Sequence, residues 1–215
     1  MAATAAQVIE NVRLNDCLRG YYKSTINALV SLADAKETAG CGHSRRVAEY
    51  ALMGARRLGL SVEYRHSIEY ASILHDIGKL AIPDRVLNKP GNLSADEREI
   101  MNKHTEIGFN LVHGIPFLED ASWLILYHHE RFDGAGYPRQ LKGREIPIGA
   151  RLIAVADAFD NMTTEHAYRA ALDNKTAFIE LNRHARAQFC PLAVKAFFSG
   201  FSKKRVDLDE EKSAL

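Results

Sequence analysis

Residues 68–79, Ile68-Glu-Tyr-Ala-Ser-Ile-Leu74-His75-Asp76-Ile-Gly78-Lys79, decide how this chain is read. An apolar helical pattern over 62–77 runs into two adjacent side chains of metal-ligand type, and Gly78 stands where a helix C-terminal glycine belongs. Neighbouring residues at a helix end project in diverging directions. His75 and Asp76 can therefore serve one cation, or the carboxylate can bridge two. The alternative is a capped helix end with a solvated His-Asp pair.

Outward from this stretch the helical period continues almost without interruption. Residues 5–35 place Val8, Val12, Leu18, Tyr22, Ile26 and Leu29 at spacings of three and four or their multiples, and a break at 38–42 contains Gly40 and Gly42. A helix over 43–58 carries Val47, Tyr50, Ala51 and Leu58 on one face. Pro83, Pro90 and Gly91 make 81–93 a loop, and Ser94 with Glu97 forms a capping box for a helix reaching about 112. Pro116 opens a helix through 129, and 130–149 read as an irregular, ordered loop. Helix resumes over 150–162, Asp173 caps 174–187, and Pro191 opens a last helix ending near 198. Strand signals are almost absent, so the expectation is a compact all-α, multi-helix bundle. Its parts are an N-terminal helical extension (1–36), a main domain (37–203) and a charged, fraying tail (204–215).

The 215 residues carry 28 Lys+Arg against 27 Asp+Glu, a balance that excludes a broadly basic binder of nucleic-acid polymers. No apolar run approaches the roughly 18 residues needed for a membrane span, and no signal peptide is recognisable. Cys17, Cys41 and Cys190 are odd in number and widely separated, which fits a reducing compartment. A cytoplasmic location is expected.

Nine histidines are the unusual feature. His128 and His129 follow the apolar run Trp123-Leu-Ile-Leu-Tyr127, so at least one of them is expected to be buried beside a core helix, where imidazole stays neutral and ligand-ready. His104 lies in line with Ile107 and Leu111; a lone histidine there is more often a hydrogen-bonded core residue. Asp157 interrupts Leu152-Ile-Ala-Val-Ala156, and a carboxylate in so apolar a run needs a cation or a partner such as Arg45 or Arg46. His43 starts its helix, where it can cap or ligate. Together, five histidines and two aspartates stand at helix ends or on inward faces. Nitrogen and oxygen donors without thiolate favour Fe, Mn or Zn. Seven donors exceed one tetrahedral site and suit two cations, the arrangement common in hydrolysis at phosphorus.

The motifs resemble a known family. His75-Asp-Ile-Gly-Lys79 is similar to the signature of HD phosphohydrolases, and His129-Glu-Arg-Phe-Asp-Gly-Ala-Gly-Tyr-Pro138 to the second signature of their HD-GYP branch. The likeness continues through Lys103-His-Thr105, Gly143-Arg-Glu-Ile-Pro147 and Ala156-Asp-Ala-Phe-Asp160, covering roughly 43–198. It implies an all-helical HD-domain bundle with the metal site in its core, and hydrolysis of the bacterial messenger cyclic di-GMP to linear pGpG and onward to GMP. It implies His43, His75, Asp76, His104, His128, His129 and Asp157 as metal ligands, with Asp76 bridging and catalytic through the hydroxide it helps hold between two ions. Lys79 would act on the scissile phosphate. Gly134, Gly136, Tyr137 and Pro138 would meet the guanine or a partner protein, and His166 and Arg169 would serve substrate.

Two departures carry expectations. Members with a third metal have Glu where this chain has Ala39, which implies two divalent ions, Fe or Mn with Zn as the alternative. His166 replaces a usual arginine and lacks its bidentate fork, which implies weaker phosphate binding. Alternative functions are a weakly catalytic signalling module binding a cyclic dinucleotide or a diguanylate cyclase, and hydrolysis of another cyclic dinucleotide. An input domain or a homodimer, paired through 1–36, are the expected partners.

Overall fold

The computed structural model describes residues 2–34, 42–165 and 170–213. Its helices are α1 (Ala2–Asp34), α2 (His43–Arg57), α3 (Val62–Leu74), α4 (Asp84–Leu87), α5 (Ala95–Asn102), α6 (His104–Val112), α7 (Glu119–Tyr127), α8 (Ile148–Thr163), α9 (Asn174–Arg183) and α10 (Pro191–Ser213). Short 3₁₀ turns cover Ile77–Ala81, Pro116–Leu118 and Gly143–Glu145. Among the described residues no strand forms, only a single bridge between Ala185 and Phe189, so the all-α expectation holds.

The centre is α2 and α8, packed against each other with α3 and α10 on either side. The apolar face of α2 contributes Val47, Ala51 and Ala55; α3 contributes Ile68, Ala71 and Leu74; α8 contributes Leu152, Ile153, Ala156 and Phe159. Phe159 lies 4.9 Å from Phe197 and 5.0 Å from Phe178, which ties α9 and α10 to this core. Each such phenylalanine, once buried, contributes about 1.5–3 kcal/mol through the water it sheds.

Local signals set several boundaries as expected. The Ser94 hydroxyl accepts from Glu97 N at 3.3 Å and the Glu97 carboxylate accepts from Ser94 N at 2.8 Å, closing the capping box of α5. Asp173 accepts from Thr176 N and caps α9. The end of α1 packs on the domain: Tyr22 stacks on Phe117 at 3.9 Å and Ile26 is buried. Further upstream, Ile9, Leu14, Leu18 and Tyr21 are exposed.

Elsewhere the structure corrects the sequence reading. Gly78 is not the C-terminal glycine of α3, which stops at Leu74; it lies in the following 3₁₀ turn, where a Cβ would overlap the His104 carbonyl. Glycine here lets the turn carrying Asp76 touch α6. The helix expected over 95–112 is two, broken at Lys103. His104 Nδ1 and the Thr105 hydroxyl take the carbonyls of Met101 and Asn102, competing with the backbone ladder. Residues 84–87, expected as loop, make one helical turn. Helix α9 stops at Arg183 rather than 187. Helix α10 runs on through 199–213 rather than ending near 198, and no proline follows to stop it.

Candidate metal centre

Three of the histidines end or interrupt a helix in the same way. His75 follows α3, His128 follows α7, and His104 follows the break after α5. Each points Nδ1 at the carbonyl three residues back: Ser72 at 2.8 Å, Met101 at 2.8 Å and Ile125 at 2.7 Å. A carbonyl can only accept, so Nδ1 carries a proton and Nε2 is left to take a cation or a second proton. The imidazole thereby satisfies an orphan carbonyl at the end of the helix before it. Metal-ligating histidines are commonly held by such an outer hydrogen bond.

The three Nε2 atoms are buried and lack a well-oriented hydrogen-bond partner. Asp76 stands among them, with Oδ2 3.2 Å from His75 Nε2 and Oδ1 3.4 Å from His104 Nε2. Lone pairs facing carboxylate oxygens repel unless a proton or a cation lies between them. This donor set therefore fits a divalent ion. Two groups satisfy the geometry of a common ligand sphere: Asp76, His104, His128 and His129, and separately His43, His75 and Asp157, with ligand atoms within 4.8 Å of one another in each. All seven residues singled out as ligands are present, and Asp76 lies beside His75 of the other group. Asp157 meets His43 Nε2 at 3.3 Å and Asn161 Nδ2 at 2.7 Å.

The two groups differ electrostatically. Burial, reinforced by the neighbouring imidazoles, pushes His128 well below the usual histidine range and His129 down to about 4; burial also lowers His104. These rings are neutral and free to donate. Asp76 is held well below the usual carboxylate range: burial opposes ionisation, but His75 and Lys79 outweigh it. At His43 burial is likewise overcome, by Asp157 and Asp160, and the imidazole is raised to about 10.

Lys79 follows Asp76 by three residues and places Nζ 2.7 Å from Oδ2. The front of the site is open here: the Lys79 and Asp76 side chains keep 25% and 16% of their exposure, against 1% for His75. A recess of about 220 Å³ lies alongside, bounded by His129, Arg131, Asp157 and Gln188 among others.

The loop after His129 is tightly built. Glu130, buried, accepts from Arg139 N at 2.6 Å and Leu141 N at 3.0 Å, stapling the loop shut. Asp133 accepts from Ala135 N and pairs with Arg131 at 2.7 Å. Gly136 is packed so closely that a Cβ would run into the Glu130–Arg131 backbone. Gly134 N bonds Arg131 O at the turn. The Tyr137 ring lies 5.0 Å from that of His129, directly over the ligands, and its bond to Pro138 is cis. Burial first, then Asp76 and Asp157, raise the Tyr137 hydroxyl, which stays protonated. His166 and Arg169, expected to serve substrate, and Ala39 lie outside the described residues.

Sequence reading missed two contributors, Asp160 and Glu130. Asp160 accepts from Arg46 Nε and Nη2 at 2.6 and 2.9 Å and meets His43 Nδ1 at 2.7 Å. Arg46, weighed as a partner for Asp157, thus serves Asp160, while Arg45 is exposed. The signal for Asp160 was a second acid in the apolar run of α8. Glu130 gave no such signal beyond following the histidine pair.

Fold and site together define a helical protein with a buried centre of imidazole and carboxylate donors. A family model described as "HD domain" matches residues 27–191. The chain belongs to the HD-domain family, in its HD-GYP branch. It is 43% identical over 157 residues, 72% of its own length, to a cyclic di-GMP phosphodiesterase of Thermotoga maritima, covering 43% of that protein. It is 36% identical over 188 residues to the 3′3′-cGAMP-specific phosphodiesterase 2 of Vibrio cholerae, covering 86% of this chain and 36% of that protein. The crystal structure of V-cGAP3, a cyclic GMP-AMP-specific phosphodiesterase of V. cholerae, shares its fold: TM-score 0.63, 20% identity, 84% of this chain and 48% of that one. The chain spans less than half the length of the curated relatives named here. No described helix is long and apolar enough to cross a membrane.

Proposed function

We propose that this chain is a metal-dependent phosphodiesterase that opens cyclic di-GMP to linear pGpG and carries it on to GMP slowly. The observation that carries this is the set of buried Nε2 atoms without a hydrogen-bond partner gathered around Asp76, with the partly exposed Lys79 ammonium beside it. His104, His128 and His129 with Asp76 would hold one divalent ion, Fe or Mn, with Zn as the alternative; His43, His75 and Asp157 would hold a second, Asp76 bridging. Bound there, the ions supply charge neutralisation at phosphorus and lower the pKa of a water nucleophile.

The chain's own residues do the rest. Lys79 presents its ammonium where a non-bridging phosphoryl oxygen would lie, favouring the charge that develops during displacement. The protonated Tyr137 hydroxyl can donate to a phosphate or base, and the stapled loop holds it over the ligands. The recess by Arg131 and Gln188 offers a seat for part of the dinucleotide.

The cGAMP-specific relative favours a second reading, hydrolysis of the mixed cyclic dinucleotide. Incubation with cyclic di-GMP and, separately, 3′3′-cGAMP, followed by chromatography, tests both. Linear pGpG from cyclic di-GMP is the expected product. Turnover of cGAMP alone would shift the substrate, and turnover of neither would leave the signalling-module reading.

A further inference from the structure

Asp160 and Arg46 lie outside the seven proposed ligands and have no role in the function above, yet they meet one of those ligands, His43. His43 lies 117 residues from Asp160 in sequence, yet its Nδ1 meets Asp160 Oδ2 at 2.7 Å. Asp160 is 1% exposed, and a buried carboxylate is costly unless paired. Its charge is met by the Arg46 fork at 2.6 and 2.9 Å, with Arg46 Nη2 also 3.3 Å from Thr164 Oγ1. The carboxylate can only accept, so it draws the Nδ1–H of His43 and turns Nε2 toward Asp157, 3.3 Å away. His75, His104 and His128 are oriented by carbonyls three residues back, in the helices that precede them. His43 is the first residue of α2, and its ring is held by Asp160 across the α2–α8 contact.

We infer that Asp160, clamped by Arg46, is the positioning residue that holds His43 as a ligand, so that the cation position formed by His43, His75 and Asp157 depends on it while the Asp76–His104–His128–His129 position does not. This rests on the metal-centre reading above. Carboxylates in this outer position typically change metal affinity about 10–100-fold when altered.

The test is titration of the metal-free chain with Mn²⁺, following unbound Mn²⁺ by its paramagnetic resonance signal, with helicity checked by circular dichroism. Wild type is expected to bind about two ions, as a two-metal site requires. Asp160→Asn should weaken one ion about 10–100-fold and leave the other unchanged. Arg46→Gln, which frees Asp160 without replacing it, should weaken the same ion to a lesser degree and gives the answer if the asparagine variant does not fold. Equal binding at both positions in a folded variant, or equal loss at both, overturns the inference while leaving the metal centre intact. A wild-type chain that binds no Mn²⁺ overturns both.

Discussion

The two halves of the proposed metal centre are built by different means. In the deep half, His104 and His128 are set by carbonyls three residues back, so the same contact that ends a helix aims a ligand. In the outer half, His43 depends on Asp160 and Arg46 across more than a hundred residues. The deep half is therefore a product of local helix-end chemistry, and it is already neutral and pre-aimed. The outer half exists only when α2 and α8 have docked. His75 belongs to the outer group by its ligand atom and to the deep one by its construction, and Asp76 beside it joins them.

The largest effect should come from removing the residue the halves share. Asp76→Ala should lower hydrolysis by roughly 10³-fold or more and reduce bound metal, read by turnover and elemental analysis. Normal levels of both would refute its bridging place. Next, His128→Ala should cost metal and also about 2–4 kcal/mol of stability, because it opens a cavity and leaves a helix-end carbonyl unpaired. His43→Ala should cost metal with a much smaller change in melting temperature, since Asp160 keeps its arginine. Equal destabilisation by the two would erase the contrast between local and long-range construction.

A smaller effect belongs to the loop. Gly136→Ala must displace the Glu130–Arg131 backbone and with it Tyr137; it should lower kcat about tenfold or more with little change in metal content. The smallest lies far from the centre. Glu97, paired with Lys89 and Ser94, is depressed to about 2 from an ordinary 4.5. Its contribution to stability is thus full above pH 4.5 and lost as pH falls through about 2. The stability gap between wild type and Glu97→Gln should close over that window and shrink with added salt, because the pair lies at the surface within reach of solvent ions.

How much of this was legible in the sequence follows the same division. The helical class, the capping box at Ser94, the N-cap at Asp173 and all the proposed ligands could be read from periodicity, turn chemistry and motif resemblance. Gly78 was misread because a glycine after a helix has two explanations, left-handed backbone or close approach, and only the position of His104 chooses between them. The break at Lys103 was hidden because it arises from side chains taking carbonyls, which helical periodicity does not report. Asp160 and Arg46 form a contact between two helices far apart in sequence, and the apolar run of α8 signalled only that some partner must exist.

The central claim is that the seven side chains form one centre for two cations. The most direct measurement is the metal content of the chain purified without oxygen, before and after chelation, with cyclic di-GMP turnover followed in parallel. The account predicts about two ions per chain, loss of turnover when they are stripped, and recovery on adding Fe²⁺ or Mn²⁺. A chain that holds no divalent metal even after reconstitution, or that hydrolyses the dinucleotide equally well without it, would contradict the account.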